Sequence, residues 1–416
     1  MRTMSLSCRT AAAALAFALC ACGDGEPVML EAVAADCAGA AAQHLDRLPS
    51  GSMVVNAYFL QEEAARDVRR GLAESPVLEE VFAKAAALGV RAVRTNGHND
   101  AASKIGDSAM QVAPLQYDEV SLVGLDRVLA RARVHGVRLV LTLGNYWDAY
   151  GGARQYVAWA GLPNPVEGDP RFFTEPSVVA HYKAHVARLL ERVNTVDGIR
   201  YGDHPAVLAW ELLNEPRGKG LDREGVKLRA WIDDVAQEVK AHAPGQLVGT
   251  GEEGFEPAPE GYDGAFWSAV GAPMLRTPGS SFSRNTASPF IDFASVHFYP
   301  EAWGLDGPGT AVAGAKWIQE HAAIARSLGK PLFVGELGLR NEGDLDLSQR
   351  RALYRGWLEC MREEGLGAGA LWMFANDARP DAWDAHTFYF RDGTAPEDPV
   401  NRYADLIIEA AAAARP

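Results

Sequence analysis

From residue 53 onward the chain alternates two hydrophobic rhythms. Short, almost continuous apolar runs occur at Val54–Leu60, Ala92–Thr95, Arg138–Leu143, Val207–Leu213, Leu247–Thr250, Phe293–Phe298, Leu332–Val334 and Ala368–Phe374. Between them lie longer segments whose apolar positions follow a helical period: Pro76–Leu88, Leu122–His135, Pro176–Val193, Glu224–His242, Ala315–Leu328 and Leu347–Glu364. A strand apolar at nearly every position is buried on both faces, so such strands alternating with helices predict a parallel sheet sheathed by helices. Eight runs over roughly 360 residues predict a closed (β/α)8 TIM barrel, class α/β, rather than an open sheet. The long loops Asn96–Glu119, Gly144–Glu175, Gly251–Ile291 and Ala375–Val400 all follow apolar runs. In a barrel those loops form the C-terminal rim, where sites are built.

The N-terminus breaks the rhythm. Arg2 and Arg9 give a basic start, and Thr10–Ala21 is an apolar stretch too short to span a bilayer, which reads as a secretory signal peptide over residues 1–21. Its end, Leu19-Cys20-Ala21-Cys22-Gly23, is similar to a bacterial lipobox with Cys22 as the lipidated first residue. Ordinary secretion with cleavage nearby is the alternative. Residues 22–45 then form a tether, and 46–416 a single barrel domain. An exported chain, periplasmic, outer-membrane or surface-facing, is the expectation, with the membrane reached only through that lipid. Cys37 and Cys360 would be the two cysteines left in an oxidising compartment, either disulfide-bonded or as free buried thiols.

Composition narrows the function. Hydrophobic residues make up 48% and charged residues 23%, ordinary for a folded protein with a large core. The formal charge of −14, about −16 once Arg2 and Arg9 leave with the signal, offers no basic stripe for nucleic acid. A monomer is expected.

Two acids close apolar runs. The fourth ends Trp210-Glu211-Leu212-Leu213-Asn214-Glu215-Pro216-Arg217, and the seventh ends Gly335-Glu336-Leu337-Gly338. A carboxylate at such a place is costly to bury and needs either a partner or a task. Acids on strands four and seven can face each other across the barrel mouth, which is the equipment of glycoside hydrolysis. The alternative is an isolated buried acid held by an arginine. Arg94, closing the second run, would keep a nucleophilic carboxylate ionised. His297 and Tyr299, closing the sixth, would donate hydrogen bonds into the same place. Glu211 reads as a paired residue of the barrel interior. Trp147, Trp159, Trp267, Trp303, Trp372 and Trp383 lie at strand ends or in loops, where flat faces suit sugar rings, whereas Trp210, Trp231, Trp317 and Trp357 read as core.

Other motifs carry less. Gly249-Thr-Gly251-Glu-Glu-Gly254 fits G-x-G-x-x-G, but it runs into Pro257 and Pro259 and its acids would repel a pyrophosphate. His181 and His185 sit four apart on a predicted helix without a zincin acid, which reads as a solvated face. No G-x-S-x-G occurs.

These residues carry a resemblance. The chain is similar to glycoside hydrolase family 5, in its endo-β-1,4-mannanase branch. Matching stretches are Asn56–Leu60, Asn145–Gly161, Asp203–Arg217, Glu253–Phe255, Ile291–Gly304, Trp317–Glu336 and Thr387–Phe390, in family order across nearly the whole domain. The resemblance implies a retaining mechanism with Glu215 as acid/base and Glu336 as nucleophile. It implies that Asn214 contacts the sugar 2-hydroxyl, Arg94 fixes Glu336, and His297 and Tyr299 support the site. Trp372 would floor the sugar at the cleavage site, Arg217 would bind on the leaving-group side, and Trp147 and Trp303 would touch substrate. No metal or organic cofactor is implied, and the partner would be a β-mannan, glucomannan or galactomannan. The run Arg94-Thr95-Asn96-Gly97-His98 departs from the family, placing Asn96 and His98 where aromatics are usual. That keeps open another family 5 β-glycanase (a glucanase or an exo-acting mannosidase) and, from a different class, a non-catalytic glycan-binding lipoprotein.

Overall fold

The computed structural model describes residues 52–101, 107–257, 267, 279–305, 309–341, 345–366, 368–375, 386–389 and 403–413. The signal peptide, the tether and Trp383 lie outside the described residues. Eight strands carry the fold: β1 (Ser52–Asn56), β2 (Ala92–Asn96), β3 (Arg138–Thr142), β4 (Val207–Glu211), β5 (Leu247–Gly249), β6 (Ala294–Phe298), β7 (Leu332–Leu337) and β8 (Ala368–Leu371). They hydrogen-bond in the order β5-β4-β3-β2-β1-β8-β7-β6, all parallel. A parallel bridge between Gly249 and Phe293 joins the two ends, so the sheet closes into the expected barrel.

The helices around it include α1 (Leu60–Arg69), α2 (Pro76–Ala87), α3 (Glu119–Val134), α4 (Gly152–Trp159), α5 (Pro176–Leu190), α6 (Val226–His242), α7 (Gly309–Ser327), α8 (Leu347–Glu363) and α9 (Ala404–Ala413). Their starts are written locally. Asp118 caps α3 by accepting from the Ser121 amide, Asp346 and Gln349 form a reciprocal box on α8, and Pro opens α2 and α5. Among the described residues no helix is long and apolar enough to cross a membrane.

The expected first strand, Val54–Leu60, is a correction. β1 stops at Asn56 and Leu60 opens α1, because Leu60, Ala64 and Ala65 bury one side of a helix that packs on α3. A short run of apolar residues does not reveal by itself which period continues it. The histidines also differ from expectation. His185 is 1% exposed and stacks on Tyr117 at 5.7 Å, whose hydroxyl meets Nδ1 at 3.0 Å; His181 Nε2 bonds Gln111 Oε1 at 2.8 Å. Instead of facing solvent, this side of α5 holds the ribbon Gln111–Ala113/Gln116–Tyr117 of the second loop. Trp210, Trp231, Trp317 and Trp357 are buried as expected. Cys360 is buried on α8 and disulfide-bonded; Cys37, the partner considered above, lies outside the described residues.

Inside the barrel, Val54, Ala92, Val140, Ala209, Phe293, Phe333 and Ala370 make a small apolar cluster separate from the main core between strands and helices. Further along the same strands the inward positions turn polar: Asn56, Arg94, Glu211, Ser295 and Glu336. Strand alternation would not put both Phe333 and Glu336 inward, since they are three apart. A register slip between Val296 and His297 resolves this, pairing His297 directly with Glu336.

Candidate active site

Arg94 organises the mouth of the barrel. Its guanidinium donates from Nε to Glu211 at 2.7 Å, from Nη1 to Glu336 at 2.6 Å and to Asn56 at 3.2 Å, and from Nη2 to Asn214 at 2.8 Å. A planar fork with five donors can hold such a set where a lysine could not. Burial disfavours its charge, but the Glu211 and Glu336 carboxylates outweigh that and raise its proton affinity, so it stays a cation. Glu211 is fully buried and also accepts from Ser295 Oγ at 3.4 Å, the interior pairing expected for it.

Glu336 is held from both sides. Its Oε1 accepts from Arg94, and its Oε2 accepts from the Tyr299 hydroxyl at 2.5 Å. Glu215 stands opposite with φ +52°, a left-handed conformation costing a non-glycine residue about 1–3 kcal/mol, which the surrounding structure must over-determine. Its amide donates to Gly251 O at 2.8 Å, its Oε1 meets His297 Nδ1 at 2.7 Å, and its Oε2 accepts from Trp147 Nε1 at 2.6 Å. One donor atom each from Glu215, His297 and Glu336 lies within 4.8 Å of the other two. The three atoms could in principle meet a cation, but the carboxylates already accept from Arg94, Tyr299 and Trp147.

Protonation follows from these contacts. Burial disfavours charge on His297, but the Glu336 and Glu215 carboxylates outweigh it and raise the imidazole above its ordinary value. Burial favours neutral Glu215, but His297, then the Trp147 bond and the Arg217 charge, outweigh it and lower it. Glu336 is raised, burial outweighing His297 and Arg94. In the open cleft the proton of the Glu215–His297 pair therefore rests on the imidazole. The two acids thus lean opposite to the roles of proton donor and nucleophile. Their surroundings differ in another respect: Glu336 has two fixed donors suited to an anion, and Glu215 has a histidine able to return a proton to it.

The cleft around these groups has a volume of about 740 Å³. Arg94, Trp147, Asn214, Glu215, Arg217, Tyr299, Trp303, Glu336 and Trp372 all line it, and His297 sits directly behind Glu215. Arg217 is fixed by two bonds to Glu253, at 2.6 and 2.7 Å, and lies 4.7 Å over the Trp147 ring. Trp372 stacks parallel to Tyr58, centroids 5.5 Å apart. Trp303 is among the lining residues but only 5% exposed, packed on Phe255, Phe298 and Trp317. One expectation needs correction. His98 does not line the cleft: it is buried against the Thr142 carbonyl and pushed down to about 4 by burial, leaving Asn96 to face the opening.

Sequence reasoning passed over Asn56, Tyr58, Tyr150 and Glu253 as site residues. The first had a readable signal, since a polar side chain ending an apolar strand sits level with Arg94 on the next one. Tyr150 had none: its hydroxyl donates to Glu62 on α1 at 2.6 Å, a contact made only by the fold.

The protein-family model described as GH family 5 beta-mannosidase-like matches residues 58–399. Mannan endo-1,4-beta-mannosidase 1 of Oryza sativa subsp. japonica is 36% identical over 317 residues, 74% of this chain and 70% of that one. A further rice relative is 37% identical over 329 residues, and there the chain spans 64% of the relative's length. The structure of the endo-beta-1,4-mannanase from Thermotoga petrophila superposes with a TM-score of 0.76 at 26% identity, covering 89% of this chain and 77% of that one. The chain belongs to the family 5 glycoside hydrolases of β-mannosidase-like type.

Proposed function

We propose that this protein is a retaining endo-acting glycoside hydrolase that cleaves β-1,4-mannosidic bonds in mannan, glucomannan or galactomannan. The observation that carries this is the close approach of Glu215, four residues beyond β4, and Glu336, within β7, one carboxylate oxygen of each lying within 4.8 Å of the other. That separation suits direct attack by one carboxylate; an inverting pair, roughly 6.5–9.5 Å apart, would leave room for a water between.

The mechanism follows from the partners of each acid. A sugar seated on Trp372 brings its anomeric carbon against Glu336 while the glycosidic oxygen faces Glu215. Filling the cleft expels water, which favours the neutral acid, so the proton held by His297 passes to Glu215. Glu336 then attacks the anomeric carbon as the bond to the leaving oxygen breaks, and Glu215 gives that oxygen its proton. Arg94 and Tyr299 hold the nucleophile through this step, and Asn214 is placed to meet the 2-hydroxyl. In the second half-reaction Glu215, now a carboxylate, takes a proton from water, whose oxygen displaces Glu336 from the sugar. Arg217 would bind the chain on the leaving-group side. No step calls for a metal or organic group.

Purified protein incubated with linear mannan, glucomannan, galactomannan, cellulose and mixed-linkage glucan tests this, with Glu336→Ala as control. Short manno-oligosaccharides from the first three, reduced by about 10⁴-fold or more in the variant, support the proposal. Release of mannose alone would favour an exo-acting enzyme, and products only from glucans would transfer the substrate to another β-glycanase. We also propose export as a lipoprotein through Cys22; a mature N-terminus without lipid mass there would overturn it.

A further inference from the structure

The indole of Trp147 is occupied on several sides. Its edge meets Tyr146 at 88° with centroids 5.1 Å apart, and the Arg217 guanidinium lies 4.7 Å over one face. Arg217 is itself immobilised by its two bonds to Glu253 and by Phe255, 5.2 Å away. The backbone beneath is equally tight: a Cβ at Gly152 would come 1.8 Å from the Trp147 carbonyl oxygen, and the Trp147 amide donates to Asn145 Oδ1 at 3.2 Å. The ring lines the cleft, and its N–H donates to Glu215 Oε2 at 2.6 Å. We propose that Trp147 is a positioning residue for the acid/base, whose indole N–H fixes the Glu215 carboxyl so that its proton faces the leaving oxygen, and is not a platform for a sugar ring.

The chemistry of the donor supports this. An indole N–H only donates, so the Oε2 lone pair it occupies never carries the proton; the proton given up by His297 stands on Oε1, whose O–H turns from Nδ1 toward the leaving oxygen while the carboxyl plane stays fixed. With Oε1 against His297, both oxygens are tethered and the carboxyl cannot rotate. The bond also strengthens as Glu215 gains charge, so it assists most when the proton departs toward the sugar oxygen. In the same way it holds the carboxylate in place for the water that follows.

The inference rests on the proposed acid/base role of Glu215, and its test separates the two. Trp147→Phe keeps an aromatic ring beneath Arg217 and removes the N–H together with the five-membered ring that carries it. The measurements are kcat and KM on a manno-oligosaccharide, kcat/KM on an aryl β-mannoside whose leaving group departs without protonation, pH profiles of both, and the melting temperature. Wild-type turnover of the oligosaccharide, and its loss in Glu215→Ala with kcat/KM on the aryl mannoside retained, establishes the underlying role first. Loss of one charge-assisted hydrogen bond is then expected to lower kcat on the oligosaccharide roughly 10- to 100-fold with little change in KM, while kcat/KM on the aryl substrate stays within about threefold. The alkaline limb of the oligosaccharide profile should move up, since a donor to the Glu215 carboxylate has been removed. Equal losses on both substrates with a raised KM would return Trp147 to sugar binding and overturn the proposal. So would unchanged kinetics, and so would a lowered kcat with an unshifted pH profile.

Discussion

The Nε2 edge of His297 lies where a side chain on residue 335 would begin: a Cβ at Gly335 would stand 3.0 Å from Nε2 and 3.2 Å from Cδ2. The glycine just before Glu336 is therefore the seat of the imidazole bonded to Glu215. Gly335→Ala is expected to displace His297 from Glu215 at a stability cost of about 1–3 kcal/mol, the usual range for overpacking. The expected loss in kcat, about 10-fold or more, would exceed what instability explains below the melting temperature. Thermal melts with kcat at 25 °C check it, and a variant within twofold of the wild type would show that the ring yields without consequence.

The pH profile should be displaced upward on both sides. Activity needs ionised Glu336, which burial raises, so the acidic limb of kcat/KM is expected above the ordinary glutamate value of 4.5. It also needs one proton on the Glu215–His297 pair. His297 is raised by its two carboxylate neighbours, so the alkaline limb should lie above 6.5. A full profile on oligosaccharide between pH 3 and 10 measures both limbs, and either one falling below its reference value would contradict the charge arrangement described.

Replacing Arg94 by Lys should damage fold and chemistry together. A single ammonium cannot reach Glu211, Glu336 and Asn214 at once, and Glu211 would remain buried with its charge poorly met. Breaking a buried pair costs about 3–5 kcal/mol, and we expect a fall in melting temperature alongside a loss of at least ~100-fold in kcat. Calorimetry and kinetics on the same preparation decide it; full stability with full activity would mean the fork is dispensable.

Asp100 supplies a test away from the chemistry. It is buried beside Gln111 and Tyr156, one of its carboxyl oxygens has no hydrogen-bond partner among the described residues, and it is pushed up to about 7 by burial. A carboxyl raised in the folded state contributes stability below its unfolded value of 3.8 that is lost as pH rises through the folded value. The loss amounts to about 4 kcal/mol by pH 7 at 1.36 kcal/mol per unit. Asp100→Asn removes this penalty, so its stability relative to the wild type should grow from pH 5 to pH 8 in urea unfolding. A constant difference across that range would place the charge elsewhere.

The barrel and the acid pair were legible because both are local signals: doubly buried strands read as apolar runs, and Glu215 and Glu336 interrupt them at their ends. Arg94 was legible for the same reason. Trp147 and Trp303 could not be distinguished from the sequence, since each is a tryptophan after a strand. Whether such a ring stacks a sugar, backs a wall or donates one hydrogen bond depends on Arg217, Phe255 and Trp317, which come from other strands and helices. His98 and His185 were misplaced on the same account, their burial being decided by Thr142 and Tyr117. The inward turn of Glu336 depends on a register slip that no alternation pattern encodes.

The barrel closes through a narrow seam. Neighbouring strands elsewhere pair at two to five positions, while β5 and β6 meet at the Gly249–Phe293 bridge, supported by backbone bonds from Asp292 to Val248 and from His297 to Glu253. The ring is thus a curved sheet with a clasp, and the segment bearing Glu253, which anchors Arg217, hangs from that clasp. Trp372 and Arg94 belong to the continuous arc on the far side. Mechanical compliance is therefore distributed unevenly around the mouth. Under the proposed roles the half that would grip the attacked sugar is the firmly paired one and the half that would receive the departing chain is the clasped one, so amide exchange along β5 should outpace that along β1 and β2.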